Sequence, residues 1–233
     1  TYSYAGAKLA NLGDINGDGF ADFALSSPAV SGYTGETYII FGSSSITPST
    51  IFDLSSLDGN NGFALNDANT EDSSKLSVSG AGDINGDGYQ DILIGAPFAT
   101  PDGFKSGEAY VVYGGTQISA SSTFELSSLN GSNGFTVFGD SQREELGDSV
   151  SSAGDFNGDG FDDLLIGAPS LSALNGNPGQ AFLVFGSESI ASNGFIPTFS
   201  LRNSVGVEIV NEGSSNAKFG QSVTSLGDIN DDG

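Results

Sequence analysis

The sequence predicts an all-β chain made of β-propeller blades, three of them complete and a fourth just begun. Three observations predict it. A motif returns along the chain as GDINGDGFADFALSSP (13–28), GDINGDGYQDILIGAP (82–97) and GDFNGDGFDDLLIGAP (154–169), and GDINDDG opens a fourth copy at Gly227. The apolar segments are short, rich in Val, Ile, Leu and aromatics, and bounded by Gly, Ser, Asn or Pro, which is how strands read. No segment keeps a 3.6-residue rhythm long enough for a helix.

The repeat governs nearly the whole chain. Asp14, Asp83, Asp155 and Asp228 stand about 70 residues apart. A second element keeps step as GETYIIFGSSSI (35–46), GEAYVVYGGTQI (107–118) and GQAFLVFGSESI (179–190), and a third as FDLSSLDGNNGFAL (52–65) and TFELSSLNGSNGFTV (123–137). In the second period the strand-like segments are 63–67, 75–82, 91–97 and 108–114. Four short strands per unit at a fixed period fit a four-stranded antiparallel blade. The Ala-Pro pairs at 96–97 and 168–169 end a strand, because Pro cannot donate to the ladder. We therefore expect one partial propeller domain over 1–233, with units near 1–67, 68–138, 139–211 and a truncated 212–233. A twisted sheet of this kind buries its faces only against neighbours. Closed propellers use roughly 4–8 blades, so the ring requires further blades of the same protein or associating chains. The chain opens on TYSYAG without Met, a basic stretch or an apolar stretch, and stops inside a motif. It is expected to be a piece of a longer protein.

Charge and composition narrow the chemistry. Twenty-nine acids against six bases give a net charge of −23, which repels phosphate backbones and argues against nucleic acid as a partner. The 17 Phe and 7 Tyr argue for a packed fold over acid-driven disorder. The chain has neither His nor Cys, which removes Ser-His-Asp and Cys-His nucleophiles, thiolate or imidazole metal sites, and disulfides. Oxygen ligands for a hard cation remain. No apolar run approaches the roughly 18–20 residues that a membrane-spanning helix requires.

Such a cation has an obvious place. Counted from Asp14, side-chain oxygens fall at positions 1, 3, 5 and 9 as Asp14, Asn16, Asp18 and Asp22, while Phe20 at position 7 offers its carbonyl and turns its ring into the core. Asp83, Asn85, Asp87, Tyr89 and Asp91 repeat the pattern, as do Asp155, Asn157, Asp159, Phe161 and Asp163. Alternating ligands on a loop curled by Gly can converge on one point, and six or seven oxygens suit calcium. A solvated Asx turn is the plain alternative, but a thrice-repeated knot of carboxylates repels itself without a cation. A helix-loop-helix calcium site needs Glu at position 12, where this chain has Leu25, Ile94 and Ile166. We expect three complete calcium sites. A fourth, with Asp228, Asn230 and Asp232, lacks position 9 and is expected to be incomplete.

FGQSVTSLGDINDDG, LGDSVSSAGDFNGDG and the DLLIGAP that follows resemble FG-GAP repeats, the blades of the integrin alpha-subunit propeller and of related bacterial surface proteins. The resemblance implies calcium in the hairpin loop between the first two strands of each blade, on one face of the disc. It also implies ligands on the opposite face, met by the loops joining strands two to three and four to one. The Phe-Gly is intact at Phe219-Gly220, reads Leu146-Gly147 and Ala5-Gly6 elsewhere, and is lost at Ser74-Lys75. Gly-Ala-Pro is Ser26-Ser27-Pro28 in the first copy. These departures bear on blade-edge packing more than on calcium.

The expected function is a calcium-stabilised extracellular adhesion or protein-interaction module, secreted or at the cell surface. A calcium-dependent glycan-binding lectin is the alternative, with Tyr33 and Phe104 as candidate stacking aromatics. Catalysis is not expected: Asp162-Asp163 falls in a calcium loop, and Glu144-Glu145 reads as part of a solvated loop.

Overall fold

The computed structural model describes residues 6–27, 36–66, 76–118, 121–169, 178–201, 205–211 and 217–227. Fourteen strands run through them: β1 (Lys8–Gly13), β2 (Asp22–Ser27), β3 (Glu36–Ile40), β4 (Gly62–Asn66), β5 (Ser77–Gly82), β6 (Asp91–Ala96), β7 (Glu108–Val112), β8 (Thr123–Glu125), β9 (Gly134–Phe138), β10 (Ser149–Gly154), β11 (Asp163–Ala168), β12 (Gln180–Val184), β13 (Phe195–Pro197) and β14 (Gly206–Val210). Helix among the described residues is limited to single turns, such as Leu54–Ser56, which the Asp53 carboxylate caps through the Ser55 N–H at 2.9 Å.

These strands form three sheets, each an antiparallel meander of four: β1-β2-β3-β4, β5-β6-β7-β9 and β10-β11-β12-β14. They are propeller blades. β4, expected with the second period, pairs instead with β3 and completes the first sheet. The short strands β8 and β13 add parallel edges to β4 and β9, so each stitches its blade to the one before.

The innermost strands β1, β5 and β10 lie side by side, with β5 in the middle. The second blade is covered on both faces, and every residue of β6 and β7 is buried. Alternation divides these strands between two cores. Ile92, Ile94, Tyr110 and Val112 pack toward the first blade with Ile39, Phe63 and Leu65. Leu93, Ala109 and Val111 pack toward the third with Leu164, Ile166 and Phe182. Period-two patterning thus builds two cores from one sheet because both faces meet a neighbour.

The blades touch through the glycines of the repeat. An added Cβ at Gly95 would lie 2.1 Å from the Gly147 carbonyl oxygen, and one at Gly167 would lie 2.0 Å from that of Gly220. Ser77 Oγ donates to the Gly147 carbonyl and Ser149 Oγ to that of Gly220, both at 2.9 Å. Leu146 is fully buried where the motif has Phe, so an aliphatic side chain fills that position.

Candidate metal centre

Each loop that carries the D-x-N-x-D-G pattern joins the first two strands of its blade: 14–21 between β1 and β2, 83–90 between β5 and β6, and 155–162 between β10 and β11. A bulge in the inner strand precedes every one, and Gly13, Gly82 and Gly154 there have φ of 73, 80 and 68°. Those glycines supply the left-handed turn that starts the loop.

The three loops are wound alike. Asp14 Oδ1 accepts from the Gly17 N–H at 2.7 Å and the Asp18 N–H at 3.1 Å, and its Oδ2 accepts from Gly19 at 2.8 Å. Asp83 makes the same three bonds to Gly86, Asp87 and Gly88, and Asp155 to Gly158, Asp159 and Gly160. Position 5 caps position 7: Asp18, Asp87 and Asp159 accept from the N–H groups of Phe20, Tyr89 and Phe161. The position-3 amides of Asn16, Asn85 and Asn157 donate to the position-5 carboxylates at 2.8–3.1 Å. Among the described residues no three acidic side chains close into a ready-made metal cage. Asp228, Asn230 and Asp232 lie outside the described residues.

Position 9 is the buried member. Asp22, Asp91 and Asp163 open the second strand of each blade and are at most 1% exposed. Each spreads its carboxylate between two backbone donors: Asp22 takes Ile15 and Gly42, Asp91 takes Ile84 and Gly114, and Asp163 takes Phe156 and Gly186, all at 2.8–3.0 Å. Burial pushes the Asp91 carboxyl up to about 8, against those backbone bonds and with added repulsion from Asp87 and Asp83. Asp22 rises to about 6 for the same reason, its loop partners being Asp18 and Asp14. Asp163 is also raised, by burial first. The donor set is all oxygen, and the charge beside each buried carboxylate is negative. A divalent cation suits such a group, because it reverses the local potential while the lone pairs not used by N–H groups stay open to it.

The position-7 rings do not enter the core. Phe20 is 42% exposed, while Tyr89 and Phe161 lie against the preceding blade, where an added Cβ on Gly17 or Gly86 would meet them at 2.5 Å. Aromatic position 7 is thus an inter-blade contact. Phe20 is exposed because the first blade has no described blade before it. Position 2 shows the converse. Ile15 and Ile84 are fully buried under the next blade, whose Gly115 and Ser187 N–H groups bond their carbonyls, whereas Phe156 is 70% exposed.

Glu144 and Glu145 correct the expectation of a solvated loop, for they are 1% and 2% exposed. Glu144 Oε1 accepts from the Gln180 amide at 2.7 Å and Oε2 from the Ser141 N–H at 3.1 Å, tying the connection between β9 and β10 to β12. Burial, with a smaller contribution from Asp140, pushes its carboxyl up to about 7. The folded chain therefore holds this proton more tightly than the unfolded chain. The stability it contributes is complete below the ordinary value of 4.5 and is lost as pH rises through about 7. That swing is worth about 3 kcal/mol. In denaturant unfolding with chelator present, Glu144→Gln is expected to lose less stability than the wild type between about pH 5 and pH 8. Equal losses in both proteins would contradict the assignment. The aromatic candidate Phe104 is 54% exposed at the other end of the second blade, and Tyr33 lies outside the described residues.

The FG-GAP repeat model matches the chain three times, at residues 5–40, 76–112 and 146–184. Each match takes in one D-x-N-x-D-G loop and the three strands around it. The chain is similar to "Integrin alpha-V" of Gallus gallus, 31% identical over 172 residues, which are 72% of this chain and 14% of that protein. It is also similar to "Integrin alpha pat-2" of Caenorhabditis elegans, 32% identical over 158 residues, 65% of this chain and 12% of that protein. "Phosphatidylinositol-glycan-specific phospholipase D" of Bos taurus is 30% identical over 133 residues, 54% of this chain and 14% of that protein. The chain thus spans only a small part of the length of the curated relatives it matches.

Proposed function

The chain is an FG-GAP repeat protein similar to integrin alpha subunits, and from that premise we propose that it is a calcium-clasped extracellular propeller module that serves adhesion by binding a protein ligand. One observation carries the calcium part: three equivalent loops each hold a buried position-9 aspartate whose charged surroundings are carboxylates. Asp14, Asn16, Asp18 and Asp22 would hold the first ion with the Phe20 carbonyl, and their counterparts the second and third. The ion supplies the positive charge these loops lack, and its role is structural. Extracellular modules work with dissociation constants of about 10⁻⁴–10⁻³ M, and the likeness to integrin alpha subunits supports a setting outside the cell, where such weak loops would be filled.

The adhesion part follows the integrin relatives and the arrangement of loops. The cation loops occupy one end of the blades. The connections 97–107 and 139–147 emerge at the other, since Ala96 pairs with Glu108 and Glu108 with Phe138 there. That end is free to meet a ligand while the cations hold the opposite end. Catalysis has little to work with here. The chain has no His or Cys, and the likeness to the phospholipase covers 14% of that enzyme. A surface coated with the chain in calcium is expected to retain extracellular-matrix protein or intact cells, and to release them when calcium is chelated. Retention no greater than on an albumin-coated surface would contradict the proposal. Binding confined to a glycan array would replace it with the lectin reading.

A further inference from the structure

The end opposite the cation loops carries a small basic and aromatic spot on a chain of net charge −23. Of the six basic residues in the chain, Lys105 and Arg143 lie at one exposed ring. The Lys105 ammonium is 3.8 Å from the centre of Phe98 and 5.7 Å from that of Phe104, and the Arg143 guanidinium is 5.5 Å from Phe104. The ring and the guanidinium belong to different connections, 97–107 within the second blade and 139–147 leading into the third. Backbone bonds lock the two together: Arg143 N–H to the Phe104 carbonyl at 2.8 Å, Glu145 N–H to Lys105 at 3.1 Å and Leu146 N–H to Ser106 at 3.1 Å.

That geometry is held against backbone preference. Lys105 and Arg143 sit at φ of 54 and 62°, where side chains other than Gly are uncommon. Strain of this kind persists where the surroundings over-determine it, and it gathers at binding sites. The neighbouring acids Glu144 and Glu145 are buried, while Asp102 is exposed and Asp140 half-buried on the same two connections, so ring and guanidinium stand beside a carboxylate that limits the charge a partner can bring. No carboxylate among the described residues pairs with the Arg143 guanidinium.

We propose that Phe104 and Arg143, supported by Lys105, form a seat for a protein partner that presents a single carboxylate beside an apolar side chain. The planar fork of Arg matches a carboxylate in two parallel bonds, and the Phe104 ring takes the apolar neighbour. One localised charge fits because the chain as a whole, at −23, repels a polyanion. The proposal rests on the reading that this end meets a protein ligand, and it names the chemistry of the contact.

The test is a titration of the isotope-labelled chain in calcium, followed by NMR. N-acetyl-Asp-Phe-amide at millimolar concentration is expected to move the backbone signals of Phe104 and Arg143 and the Arg143 Nε–H. N-acetyl-Asn-Phe-amide is expected to bind at least about tenfold more weakly. Arg143→Gly keeps the left-handed turn, which Gly adopts freely. It is expected to melt no lower than the wild type and to lose the Asp-dependent response. Equal responses to the two dipeptides, no response to either, or an unchanged response in Arg143→Gly would overturn the proposal. A stronger response to a sulfated disaccharide would overturn the protein partner. If Arg143→Gly adheres as the wild type does, the seat falls and the adhesion reading stands. If the wild type binds the Asp dipeptide yet never adheres, the adhesion reading falls and the seat stands.

Discussion

Gly95→Ala is expected to destabilise the chain by about 3 kcal/mol, although it adds a single methyl group. Gly95 lies within β6, and its φ is not in the left-handed region, so backbone strain adds nothing to the cost. The cost is contact alone. The new Cβ would lie 2.1 Å from the Gly147 carbonyl oxygen and 2.4 Å from Ser77 Oγ. The serine hydroxyl can rotate away, but the carbonyl belongs to the backbone of the next blade and moves only if the blades part. Parting them opens the core that holds Leu93, Leu164 and Phe182. Urea unfolding in calcium measures the effect, and a loss below about 0.5 kcal/mol would mean that the junction gives way freely.

The same contact shows what the sequence made legible and what it hid. The Gly of Gly-Ala-Pro and the Gly of Phe-Gly look like unrelated motif letters, yet they are two sides of one inter-blade contact. Both departures from the motif that concern glycine fall in adjacent copies of the repeat. Ser26 stands where the first blade would have its Gly-Ala-Pro glycine, and Lys75 stands where the second would have its Phe-Gly glycine. Ser26 is buried, and Lys75 lies outside the described residues. Strands and the acidic hairpin loops were readable because period-two patterning and the spacing of acids and glycines are local properties of the chain. The burial of Glu144 was not, since two adjacent acids read as surface until Gln180, some forty residues on, supplies a partner. The position-7 rings were misread for a related reason. Whether an aromatic faces its own core or the blade before it depends on how blades stack, which one repeat cannot specify.

Removing calcium is the second perturbation with a large expected effect. Asp22, Asp91 and Asp163 are buried among like charges, so the folded chain bears that repulsion unless cations offset it. An ion present at ten times its dissociation constant stabilises by about 1.4 kcal/mol per loop, or about 4 kcal/mol for three loops. For a chain of this length that corresponds to a fall of roughly 10 °C in melting temperature. Each loop starts the second strand of its blade and contacts its neighbour through position 7. Loss of the ions therefore loosens blade edges as well as hairpins.

The most direct measurement is thermal unfolding of the same preparation in millimolar calcium and in excess chelator. The account predicts a fall of about 10 °C in chelator, restored by added calcium and not by an equal concentration of magnesium, whose stricter octahedron the loops do not suit. An identical melting temperature in calcium and in chelator would contradict it.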